Sequence, residues 1–155
     1  MKNNIVALVM LCSSMMALGT IAPARAELGR NVIGPSLAIG GGQTSVGIDS
    51  KFGLTDNISV RPFVYFPSAG TYFGSGVTYD FNMANTGNKV QITPFLGGLV
   101  SIGTGSSINN TTTIGLLGGA DFDVTDSIQL KAALNVPISS NNTSTTVNIG
   151  AGFKF

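Results

Sequence analysis

Read two residues at a time, the chain separates into an apolar and a polar face along most of its length. In the stretch Thr44 to Leu54, the side chains of Thr44, Val46, Ile48, Ser50, Phe52 and Leu54 share one face. Ser45, Gly47, Asp49, Lys51 and Gly53 share the other. The alternation returns with Ile58, Val60, Pro62, Val64 and Phe66 against Ser59, Arg61, Phe63 and Tyr65, then with Phe73, Ser75, Val77, Tyr79 and Phe81 against Tyr72, Gly74, Thr78 and Asp80. Further on, Ile92, Pro94, Leu96, Val100 and Ile102 oppose Gln91, Thr93, Phe95 and Ser101, and Ile114, Leu116, Ala120, Phe122 and Val124 oppose Thr113, Asp121 and Asp123. Ile128, Leu130, Ala132, Leu134 and Val136 oppose Gln129, Lys131 and Asn135. Val147, Ile149, Ala151, Phe153 and Phe155 oppose Thr146, Asn148 and Lys154. A period of two marks β-strands with two different environments on their faces. A weaker segment at Val32–Gly40, with Ile33, Leu37 and Ile39 in phase, completes a set of eight.

Each segment is expected to run roughly 9–11 residues, the length of a tilted strand that crosses a bilayer. Alternation alone leaves the direction of the apolar face open. A soluble barrel or sandwich turns that face to a dry centre, whereas a membrane barrel turns it to lipid and encloses the polar face.

A repeated hairpin fixes part of the topology. Phe52-Gly-Leu-Thr-Asp-Asn-Ile-Ser-Val-Arg61 is echoed by Phe122-Asp-Val-Thr-Asp-Ser-Ile-Gln-Leu-Lys131. Asp and Asn suit such turns because their side chains bond nearby backbone. If the two hairpins join strands two to three and six to seven, they are four strands apart, as an even count of eight requires. Keeping the apolar sets on one face pairs Leu54 with Ile58 and Val124 with Ile128. That register sets Asp121 across from Lys131 at contact distance, and Lys51 across from Arg61. The like-charged pair needs a carboxylate, for which Asp49 and Asp80 are candidates. The set Asp49, Lys51, Arg61, Asp80, Asp121 and Lys131 is thus expected to form a charge network in the lumen, structural before anything else. Phe63, Tyr65, Tyr72 and Phe95 are expected to fill the same interior.

Composition narrows the setting. Lys2, the apolar stretch Ile5 to Leu18 and the small residues of Ala24-Arg25-Ala26 read as a cleavable helical signal peptide over residues 1–26, cut between Ala26 and Glu27. The apolar part is short of the ~20 residues of a spanning helix. The sole cysteine, Cys12, lies inside it behind Leu11, where a lipid-attachment signal would place a small residue. Residues 27–155 then form one domain with no thiol. Beyond the signal, six lysines and arginines face seven acidic residues, which excludes the basic face a nucleic-acid partner needs. Mean hydropathy is nevertheless positive, so the apolar face must be covered by something.

Asn148, Gly150, Phe153 and Phe155 spell polar-x-Gly-x-x-aromatic-x-aromatic at the end of the sequence. This ending resembles the C-terminal signal by which bacterial outer-membrane barrels are recognised for insertion. Over residues 27–155 the strand pattern is similar to the small outer-membrane barrels of the outer-membrane protein A and X type; only the ending matches a motif. The resemblance implies an all-β, eight-stranded, antiparallel, up-and-down transmembrane barrel, monomeric, surrounded by outer-membrane lipids. It also implies passage through periplasmic chaperones and the barrel-insertion machinery. Both termini and the turns 55–57, 82–88 and 125–127 would face the periplasm, and the connections 40–43, 67–71, 103–112 and 139–144 the outside. Phe52, Tyr79, Phe81, Phe122, Phe153 and Phe155 gather at the end shared with the C-terminus, Phe66 and Phe73 at the other. Such aromatics are expected to form belts at the two membrane–water interfaces.

Candidate chemistry is sparse. The chain has no histidine, which removes the usual acid/base group near neutral pH and with it a histidine-based triad, and no imidazole or thiolate metal set remains. The carboxylates Asp121, Asp123 and Asp126 are close in sequence, but the first is expected to face a lysine and the last to lie in a turn. Gly40-Gly-Gly42 and Gly97-Gly98 open no helix and are not phosphate cradles. The Asn-X-Ser/Thr strings at Asn109, Asn110, Asn141 and Asn142 read as polar loops. No enzyme activity, cofactor or metal is expected. Three functions stay open: a structural or surface-contacting envelope barrel, a minor channel for water, ions or small solutes, and a secreted lipocalin-like barrel holding an apolar ligand.

Overall fold

A computed structural model describes residues 31–68, 70–81, 90–105, 111–139 and 144–155. The signal segment with Ala26 and Glu27, the connection 82–88 and the Asn-X-Ser/Thr strings lie outside these residues. The chain forms strands β1 (Val32–Gly40), β2 (Gln43–Gly53), β3 (Ile58–Phe66), β4 (Thr71–Asp80), β5 (Gln91–Thr104), β6 (Thr111–Asp123), β7 (Ile128–Ser139) and β8 (Thr146–Lys154). Each pairs with the next, and β1 pairs antiparallel with β8, closing the barrel. Closure removes both sheet edges, so no row of backbone donors and acceptors is left unpaired at a seam. Phe155 N–H donates to Asn31 O at 2.9 Å, carrying the seam to the end of the strands.

The two related hairpins fold alike. Leu54 N–H and Thr55 N–H both donate to Ile58 O, at 2.8 and 3.2 Å, and Val124 N–H and Thr125 N–H to Ile128 O, at 3.0 and 3.2 Å. In each turn the threonine side chain caps the following strand. Thr55 Oγ1 accepts from Ile58 N–H at 3.1 Å, and Thr125 Oγ1 from Ile128 N–H at 2.9 Å. At the opposite end, β1 and β2 are joined through Gly41 and Gly42, whose φ values are +59° and +75°. Two successive positive φ angles make the primed turn that matches strand twist, and glycine adopts it without a Cβ penalty.

Three strands outrun the expected length: β5 has 14 residues, β6 13 and β7 12. The β5–β6 ladder continues to Gly103↔Thr111, so backbone pairing takes over both flanks of what the sequence marks as a loop. A register shift between Ile114 and Gly115 bends the top of β6 against β7.

The faces are inside out relative to a soluble barrel. Val46, Ile48, Val77, Leu96, Leu116, Leu134 and Ile149 are all exposed on the outer wall. Arg61, Asp80, Asp121, Ser59 and Thr78 are each 3 % exposed or less and lie within it. A water-soluble chain would lose the hydrophobic driving force under this arrangement, and lipid would restore it.

Candidate functional site

The lumen divides into layers. Near the end that holds Asn31 and Phe155, Lys154 Nζ lies 2.9 Å from Asp123 Oδ2, and Gln129 Nε2 donates to Asp123 Oδ1 at 2.7 Å. Above this sits a buried cluster built on Arg61 of β3. Its Nη2 donates to Asp121 Oδ2 at 2.7 Å and Asp80 Oδ1 at 3.1 Å, its Nη1 to Asp121 Oδ1 at 3.1 Å, and its Nε to Thr78 Oγ1 at 2.9 Å. The guanidinium fork fits the Asp121 carboxylate with two bonds, a match that a lysine ammonium does not offer. Lys51 Nζ adds 2.8 Å to Asp80 and 2.9 Å to Asp121. Ser59 Oγ donates to Asp80 Oδ2 at 2.7 Å. The four charges therefore cancel. Arg61 also stacks on Phe95, with its guanidinium carbon 3.6 Å from the ring centroid.

All six residues of the expected charge network project inward, but their pairing departs from the expectation. Asp121 and Lys131 do face one another in the ladder, yet Lys131 forms its ion pair with Asp49 of β2. Asp121 reaches across the lumen to Arg61 and Lys51 instead. Of the two proposed partners for the Lys51 and Arg61 cations, Asp80 is one and Asp49 is not. The reason is closure: in a narrow barrel, long side chains from β2 and β3 meet β6 and β7 through the centre, a proximity that adjacent-strand register does not contain. Ser59 and Thr78 escaped sequence reasoning, though both occupy inward positions beside Arg61 and Asp80.

Phe95, Leu99, Leu117 and Ala133 form an apolar layer over the charges. Beyond them the interior is not filled. A cavity of about 510 Å³ opens at the end opposite Phe155. Of the four aromatics expected to plug the lumen, Phe95 is buried in the apolar layer, while Phe63, Tyr65 and Tyr72 line this cup, with Tyr65 buried in its floor. Its walls carry many small side chains, among them Ala38, Ser45, Ser101 and Thr113, while the Tyr65 ring takes the space beside Gly47 and the Phe63 ring the space beside Gly74. Ser36 Oγ donates to Tyr65 Oη at 3.1 Å, and Tyr65 Oη to Asp49 Oδ2 at 3.5 Å, tying the cup floor to the charges below.

Outside the wall, Phe52 packs edge-on to Phe155 with ring centroids 6.4 Å apart, and Tyr79 packs against Phe81 at 5.1 Å. Phe122 lies on the same outer face, opposite Ile92 and Leu130. Asn148 and Gly150 point into the lumen of β8, while Phe153 and Phe155 point out. Among the described residues, no group of three or more His, Cys, Asp or Glu is placed to hold a metal ion.

No protein-family model matches the sequence, and no curated protein matches it. Solved structures do. A de novo designed transmembrane β-barrel aligns with TM-score 0.63 at 12% identity, over 82% of this chain and 97% of that one. The N-terminal β-barrel domain of Pseudomonas aeruginosa OprF aligns at 0.59 with 17% identity, over 83% and 100%. Ail, the attachment invasion locus protein of Yersinia pestis, aligns at 0.50 with 12% identity, over 81% and 96%. At such identities the likeness is one of backbone path, and it spans nearly the whole of each of those chains: the architecture here is that of the small eight-stranded outer-membrane β-barrels.

Proposed function

We propose that this protein is an integral barrel of the bacterial outer membrane with a structural or surface-contacting role, and that it is neither an enzyme nor an open channel. The observation that carries this reading is the inverted wall, apolar outside and charged within. The aromatic pairs at the terminal end support an interfacial belt there. Residues 1–26 would direct export and be removed at Ala26–Glu27, and Asn148, Gly150, Phe153 and Phe155 would be read by the insertion machinery. The only barrel partners implied are lipids, periplasmic chaperones and that machinery.

Against catalysis stands the lack of any histidine, together with carboxylates whose charge is already matched by Arg61, Lys51, Lys131 and Lys154. Against conduction stands the neutralised plug, closed by Phe95, Leu99 and Leu117. The lipocalin-like alternative requires an apolar interior, and the interior here holds an ion cluster. Membrane fractionation and heat-modifiable gel mobility test the placement: the folded chain should sediment with outer membranes and migrate differently before and after boiling. Recovery in the soluble periplasm would refute it. Planar bilayers should record no discrete conductance steps, and regular steps would favour the channel.

A further inference from the structure

Charge is divided unequally between the two ends of the barrel. Residues 31–48, 62–79, 90–120 and 132–153 contain no Lys, Arg, Asp or Glu. Each of these spans holds one connection at the cup end together with much of the two strands that it joins. The Phe155 end differs: Asp56 and Asp126 occupy the two related turns, and Lys89 lies between β4 and β5. Asp123 and Lys154 form an ion pair beside them. Turns that face water carry charge at no penalty, so the bare cup end is not explained by solvation of its connections. Whichever end enters a bilayer first must pass through the hydrocarbon, and an ionised side chain is the costliest group to carry across it. Backbone groups are costly there as well unless they pair. At the cup end pairing runs to the strand tips: Gly40 pairs with Gln43, Gly103 with Thr111, and Gly70 N–H donates to Pro67 O at 3.2 Å.

We propose that the cup end is built to lead through the bilayer, and that this charge asymmetry fixes the orientation of the inserted barrel without outside help. The inference rests on the outer-membrane placement proposed above. Four connections must cross at the leading end, and none of them carries a charge. A charge added there meets its cost near the midplane and recovers its hydration in the water beyond. It therefore slows insertion but leaves the inserted barrel as stable as before. The same charge at the trailing end never crosses, and changes neither rate nor stability.

The test uses the chain freed of residues 1–26, unfolded in urea and diluted into dilauroylphosphatidylcholine vesicles with no insertion machinery present. Gel mobility without boiling follows the folded barrel over time. Gln43 and Ser68 are exposed at the cup end, and Ser127 is exposed at the other. Gln43→Lys and Ser68→Lys should each insert about tenfold or more slowly than the parent. Ser127→Lys, which changes the net charge equally, and the neutral Ser68→Gln should stay within about twofold of it. Once inserted, all four should unfold at the parent's urea midpoint. Orientation is read with a membrane-impermeant maleimide: Ser127→Cys should react from outside the vesicle, and Ser68→Cys only after detergent is added. Equal slowing by lysine at both ends, no slowing at the cup end, or equal labelling of the two cysteines would overturn the proposal while the placement stood. A parent chain that never enters the vesicles would overturn the placement, and this inference with it.

Discussion

Arg61 offers the sharpest perturbation of the plug. Its side chain makes four hydrogen bonds, three of them to carboxylates, and it caps Phe95. Arg61→Met keeps most of the apolar volume but leaves Asp80 and Asp121, 3 % and 1 % exposed, sharing the single cation Lys51. Removing one partner from a buried ion pair costs about 3–5 kcal/mol, chiefly because the remaining charge is stranded. Desolvation therefore decides the outcome, rather than the count of lost bonds. It follows that Asp121→Asn added to Arg61→Met should restore more than half of the loss, because Lys51 then balances Asp80 alone. The chain has no tryptophan, so unfolding is best followed by the gel-mobility difference between folded and unfolded protein across a urea series in lipid vesicles. A loss below about 1 kcal/mol for Arg61→Met, or a double variant weaker than the single one, would refute the reasoning.

Other substitutions probe separate links. Thr125→Ala and Thr55→Ala should each cost about 1 kcal/mol, and by similar amounts, because the two turns share one hydrogen-bond pattern; Thr125→Ser should cost little in the same urea series. Gly97→Ala places a Cβ 1.9 Å from Val77 O and should destabilise by about 3 kcal/mol. Gly98→Ala, whose Cβ meets nothing nearer than Gly115 O at 3.8 Å, should be close to neutral, and vesicle refolding yields distinguish the two. In planar bilayers, Arg61→Ala combined with Phe95→Ala should give conductance steps that the parent protein lacks.

What the sequence reveals and what it hides divide along a physical line. Strand existence and facing follow from the period of two, and they hold from Val32 to Lys154 because every strand separates the same two environments. The Leu54–Ile58 register was legible because a three-residue turn and matched apolar faces leave one alignment; Asp121 opposite Lys131 follows in the same way. Charge partnership was not, since Lys131 chooses Asp49 through the lumen, and sequence pattern reports neighbours along a ladder rather than across a tube. The lengths of β5 and β6 were understated because Thr104 and Thr111 look like loop residues but pair through backbone groups. The cup is not legible from residue size, since small inward residues also face the plug: Gly76 pairs with Arg61 and Gly119 with Phe95.

The central claim is that Val46, Ile92 and Leu130 meet acyl chains while Arg61, Asp80 and Lys131 are sealed within the wall. Single cysteines at Val46, Ile92, Leu130 and Lys131, in a chain whose own cysteine precedes the barrel, can carry nitroxide labels in the bilayer-reconstituted protein. Oxygen, which concentrates in lipid, should relax the labels at Val46, Ile92 and Leu130 strongly, and an aqueous nickel chelate should barely touch them. The reverse ranking at those three sites, chelate above oxygen, would contradict the account.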